Sequence, residues 1–65
     1  MTVGGNIKKL RKARGLSQFD FAKKIGISRN YVSELERDKR SPSVRTLKSI
    51  ADKLDIPITL LLEGL

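Results

Sequence analysis

The sequence predicts an all-α chain, a compact five-helix bundle in a single domain spanning residues 1–65. Three observations lead there. Apolar residues recur at helical spacing from Val3 to Leu65. Helix punctuation falls between the apolar stretches: Ser17, Ser28 and Ser43 stand where N-caps belong, and Gly15 and Gly26 where helices end. A chain of 65 residues has room for one core only, and hides roughly 60% of its unfolded surface. A core that small relies on economical helix packing or on a partner subunit.

The first helix is capped by Thr2 and buries Val3, Ile7 and Leu10. Its other faces carry Lys8, Lys9, Arg11, Lys12 and Arg14, and Gly15 closes it. Leu16 tucks inward as the chain turns. Ser17 with Asp20 three residues on reads as a capping box for a second helix, Gln18–Ile25, whose buried face is Phe21, Ala22 and Ile25. Gly26 lies just past the last apolar residue, where a left-handed backbone ends a helix without a Cβ penalty. Ile27 leads into a third helix that Ser28 caps and that buries Val32 and Leu35. Two helices joined by so short a turn cross steeply, so their closest approach needs a small residue, Ala22, against Val32. The pattern is a helix-turn-helix over about residues 17–37.

The polar loop Arg37–Pro42 follows. Ser43 caps a fourth helix with Leu47, Ile50, Ala51 and Leu54 buried, Val44 one turn earlier on the same face, and Asp55 at its end. Pro57 suits the first turn of a fifth helix. There Ile58, Leu61, Leu62 and Leu65 share one face while Leu60 points elsewhere. Leu60, with Ile58 and Leu65, is more apolar surface than a small monomer needs, so residues of about 56–65 are expected to form a two-fold dimer contact.

Composition narrows the function. The chain has no Cys and no His, so disulfides, thiolate metal sites, the usual zinc sites and most nucleophile–base pairs are out of reach. No nucleophile–base pair and no glycine loop of the phosphate-cradling kind is visible. An enzyme is the least expected class, and no cofactor or metal is expected. No apolar run approaches the roughly 18 residues of a membrane span, and the N-terminus lacks a signal-peptide core. A soluble cytoplasmic protein is expected.

The net charge of +7 is unevenly spread. Residues 1–45 hold 12 Lys and Arg against 4 Asp and Glu, or +8, and residues 46–65 hold 2 against 3, or −1. The positive excess therefore sits on the part with the helix-turn-helix, which favours a nucleic-acid partner. The nearly neutral end can meet a second copy without repulsion.

Gln18, Ala22, Gly26, Val32 and Leu35, in that spacing, resemble the phage-repressor, Cro-like (Xre-type) helix-turn-helix family, whose domains are lambda-repressor-like. The match extends to Ile7 and Leu10 before them, Glu36 after them, and Ser41-Pro42-Ser43 through Leu62. The resemblance implies a partly buried ion pair between Arg11 and Glu36 joining the first and third helices. It also implies phosphate contacts from Gln18 and from the loop after the third helix. The chain departs from the family pattern at Asp38, where glycine is usual, although Asp tolerates the left-handed region better than most residues. It departs again at Phe19, where a polar residue is usual.

On the exposed side of the third helix, opposite Val32 and Leu35, lie residues 29, 30, 33, 34 and 37. The major groove admits a helix and distinguishes all four base pairs. Arg29 suits guanine O6 and N7, Asn30 suits adenine N6 and N7, Ser33 donates or accepts, and Glu34 can accept from cytosine N4 or equally face Arg37 or an N-terminal lysine. Arg37, Lys39 and Arg40 together with Gln18 and Ser43 are the candidate phosphate contacts. Tyr31 has no assigned role. The expected function is a transcriptional regulator, a repressor or autoregulator, binding a pseudo-palindromic duplex operator as a homodimer. A protein-interaction module or antitoxin on the same fold is the alternative, with Phe19 a candidate contact for a protein partner.

Overall fold

The computed structural model describes residues 2–65. Four α-helices, α1 (Val3–Ala13), α2 (Gln18–Ile25), α3 (Arg29–Glu36) and α4 (Val44–Leu54), are followed by a short 3₁₀ helix, Ile58–Leu62. Each α-helix starts on a hydroxyl that accepts from a backbone N–H three residues on. Thr2 takes that of Gly5 at 2.9 Å, Ser17 that of Asp20 at 3.0 Å, Ser28 that of Tyr31 at 3.0 Å and Ser43 that of Thr46 at 3.1 Å. All four expected caps are present, each worth about 1 kcal/mol against alanine.

The core is a single cluster of Ile7, Phe21, Ala22, Ile25, Val32, Ile50, Ala51, Leu54 and Leu61, with Leu10, Leu16, Ile27, Leu47 and Ile58 packed around it. Phe21 is its largest fully buried side chain. The α2–α3 turn is built as expected: Gly26 takes φ 88°, and its N–H and that of Ile27 both donate to the Ala22 carbonyl, at 2.8 and 3.0 Å. Asp38 at φ 59° and Asp55 at φ 56° occupy the left-handed region, so Asp38 makes the turn that glycine makes elsewhere.

Two expectations need correction. The fifth helix is 3₁₀ and not α. With about three residues per turn, Ile58 and Leu61 eclipse and face the core, whereas Leu62 falls on the next side and is exposed. The chain then extends at Glu63 and turns at Gly64 (φ 79°), and Leu65, one of the expected dimer residues, is 68% exposed. Val44 is 67% exposed: as the first residue of α4 it lies ahead of the point where the helix meets the core.

Two residues of α1 that sequence reasoning passed over hold the ends of the chain in place. Asn6 is buried and its amide nitrogen donates to the carbonyls of Leu61 and Glu63, at 2.9 and 2.8 Å, tying the C-terminal segment to α1. Gly4 is buried where α1 meets the end of α3, and a Cβ there would collide with the Leu35 carbonyl oxygen and the Asp38 carboxylate. Among the described residues, no helix is long and apolar enough to cross a membrane.

Candidate nucleic-acid interface

α3 has two polar edges with different fates. On the inner edge, Glu36 meets Arg11 in a two-pronged pair, Nε to Oε2 at 2.7 Å and Nη2 to Oε1 at 3.1 Å, with the two side chains only 9% and 2% exposed. Arg11 Nη1 also donates to the Leu16 carbonyl at 2.7 Å, so the guanidinium fastens α1 to both α3 and the α1–α2 connection. This is the expected pair, more deeply buried than an ordinary surface contact. Gln18 Nε2 donates to Glu36 Oε1 at 3.2 Å. The amide at the head of α2 is thereby oriented, keeping its own oxygen and a second N–H for a ligand.

On the outer edge, Arg29 and Asn30 are exposed and Ser33 and Glu34 half-buried. Gln18, Arg29, Asn30 and Ser33 line one shallow depression between the heads of α2 and α3. Three of the four expected base-contacting residues are thus brought together, with one phosphate candidate beside them. Glu34 lies on the same helix, 30% exposed, and its Oε1 sits 3.7 Å from Arg40 Nη1. Arg37 turns back on its own helix, donating from Nε to the Ser33 carbonyl at 3.3 Å.

Lys39 and Arg40 are exposed in the loop between α3 and α4. Ser43 is occupied as the cap of α4 and lies 3.0 Å from the Thr46 hydroxyl. The first N–H groups of α2 and α4 have no acceptor within their helices, and each end carries partial positive charge. Cations and helix ends therefore flank the depression, an arrangement suited to gripping a polyanion across a groove. Two features here escape sequence reasoning. The Arg40 guanidinium lies over the Tyr31 ring, 5.1 Å from its centroid, and the Tyr31 hydroxyl is 3.3 Å from that of Thr46. Both depend on how the loop folds back on α3, and no local pattern announces them.

Of the expected dimer residues, Ile58 and Leu60 are half-buried and Leu65 is exposed. Leu60 lines a groove with Leu10, Ala13 and Gly64 at the end of the molecule formed by α1 and the 3₁₀ helix. Phe19 is 62% exposed.

The fold and this surface define a helix-turn-helix domain of the repressor type. The chain belongs to the helix-turn-helix family HTH_3, whose model matches residues 7–61. It is 44% identical over 59 residues to the immunity repressor protein of Bacillus phage phi105, covering 91% of this chain and 41% of that protein. It is also similar to the structure of SinR, a master regulator for biofilm formation, in complex with DNA, with a TM-score of 0.88 and 33% identity over 95% of this chain and all of that one. The restriction-modification controller protein C.AhdI from Aeromonas hydrophila superposes with a TM-score of 0.86 and 37% identity over 91% of this chain and 89% of that one. The chain spans less than half the length of the phage repressor, and 56% of SinR from Bacillus subtilis.

Proposed function

We propose that this chain is a sequence-specific duplex-DNA-binding transcriptional regulator without enzymatic activity. In this reading it acts as a homodimer on a pseudo-palindromic operator and represses by covering the promoter. The observation that carries the reading is the grouping of Gln18, Arg29, Asn30 and Ser33 around one depression, flanked by cations and capped helix ends. The regulators and repressors among its relatives, one of them bound to DNA, support it.

In this mechanism α3 enters the major groove. Arg29 takes guanine O6 and N7, Asn30 takes adenine N6 and N7, and Ser33 donates or accepts at a neighbouring base edge. Gln18, Arg37, Lys39, Arg40 and Ser43 with the heads of α2 and α4 hold phosphates and fix the angle of approach. The carboxylate of Glu34, already engaged by Arg40, is left to a different role. Two copies, joined through Ile58, Leu60 and Leu65 near the apolar groove, would set their reading helices about 34–36 Å apart, in successive major grooves. In this reading the protein works in the cytoplasm of a bacterium, as its bacterial and phage relatives suggest.

Fluorescence anisotropy with random and library-selected duplexes over a salt series tests the reading. Binding should weaken steeply with salt, and selected duplexes should bind more tightly than random ones. Failure of every duplex to bind at low salt would overturn it. Sedimentation velocity tests the dimer separately: Leu60→Asp with Leu65→Asp should shift the protein to monomer.

A further inference from the structure

α3 carries a carboxylate, Glu34, on the side turned to a polyanion, which calls for an explanation. A bare acid beside phosphates repels them. The neighbourhood supplies one. Arg40 has two neighbours on α3, with its Cζ over the Tyr31 ring, 5.1 Å from the centroid, and its Nη1 3.7 Å from Glu34 Oε1. The ring is in turn fixed at its far end, since its hydroxyl lies 3.3 Å from Thr46 Oγ1, which lies 3.0 Å from the capping Ser43 Oγ. The platform under Arg40 is thus tied to α3 and to the first turn of α4, the two elements that the loop joins. Arg37, at the C-cap of α3, donates to the Ser33 carbonyl and not to Glu34.

We propose, on the strength of the DNA-binding reading above, that Tyr31, Glu34 and Arg40 form one unit that presents Arg40 to an operator phosphate. Glu34 and Tyr31 are then positioning residues, and Glu34 is not a reader of cytosine. The separation to Glu34 is longer than a hydrogen bond, and 61% of the Arg40 side chain is exposed, so the guanidinium keeps free donors on its outer edge. An arginine already fixed by stacking and by a carboxylate loses less rotamer freedom on grasping a phosphate than a loose one. Pairing also cancels the repulsion that Glu34 alone would exert. Reading a base would require Glu34 to abandon Arg40 beside the phosphates.

The test compares wild type, Glu34→Gln, Arg40→Ala and the double variant. It uses sequencing of duplexes captured from a random library and the salt dependence of binding, with thermal melts to confirm folding. Glu34→Gln should leave the base preference unchanged at every position. Arg40→Ala should lower the log–log salt slope by about one in the wild-type background, and by clearly less when Glu34 is Gln. Tyr31→Leu should diminish the Arg40 effect in the same way, and Tyr31→Phe, which removes only the hydroxyl, should do so more weakly. Arg40→Lys should not restore wild-type binding, because an ammonium neither stacks on the ring nor offers a planar fork. Loss of preference at one base pair in Glu34→Gln would overturn the proposal. So would equal Arg40→Ala effects in both backgrounds, or full rescue by Lys. Wild-type protein that bound no duplex at low salt would instead remove the DNA-binding reading itself.

Discussion

α3 bears two glutamates two residues apart, each paired with an arginine, and the pairs behave as opposites. Glu36 and Arg11 meet at 2.7 Å with almost no exposure, and Arg11 also takes a backbone carbonyl. Glu34 and Arg40 meet at 3.7 Å with the arginine mostly in solvent. The inner pair has lost its water and is committed to the fold, since removing either partner strands a charge without solvent. The outer pair keeps its water, contributes little to stability and leaves the arginine free for a ligand. The same two residue types therefore serve architecture on one side of a helix and stay open to solvent on the other, and burial draws the line between them.

The largest effect should come from breaking the inner pair. Glu36→Ala should cost about 3–5 kcal/mol of unfolding free energy, read from urea denaturation. That is a large share of the roughly 5–15 kcal/mol a native domain holds. Replacing both partners with hydrophobic residues, as in Arg11→Met with Glu36→Leu, should recover much of that loss. A double variant no more stable than Glu36→Ala would show that the pair contributes more than relief of a stranded charge. Gly4→Ala should rank next, at about 1–3 kcal/mol, because the new methyl meets backbone, which yields less than a side chain tip.

On the outer edge the expected changes move from stability to binding. Arg29→Ala should lose about 1–3 kcal/mol on the preferred duplex and relax one base position, while the melting curve stays put. Unchanged selectivity would mean the reading face lies elsewhere. Lys39→Ala should weaken all duplexes alike and reduce the salt slope by about one. In unfolding free energy Arg40→Ala should cost under about 1 kcal/mol, far less than breaking the inner pair. A substantially larger loss would erase the contrast between the two pairs.

Much of this was legible in the residues. The four caps, the glycine turn at Gly26, the small Ala22 at the crossing and the burial of Val32 and Leu35 all follow from local chemistry and helical spacing. The exposed series on α3 follows from the same spacing, because whatever lies opposite Val32 and Leu35 must face outward. Where the chain leaves regular α-helix, periodicity lost its authority. After Pro57 a change from 3.6 to about three residues per turn moved Leu62 off the buried side. Asn6 shares the stripe of Val3, Ile7 and Leu10, a polar residue among apolar ones. That position was itself a signal of a buried hydrogen bond, but only the returning C-terminus reveals its partners.

The sequence by itself determined the helices, their order, the turn between the second and third, and the concentration of positive charge on residues 1–45. These depend on φ/ψ preferences, capping hydroxyls and apolar spacing, all expressed within a few residues of chain. Only the tertiary structure decided that Gly4 must lack a side chain, that Asn6 fastens the two ends, and that Arg40 lies over Tyr31 beside Glu34. Each of those joins groups brought together by the packing of whole elements. Distance through space, which the order of residues does not encode, settles which polar groups meet and which remain free for a ligand.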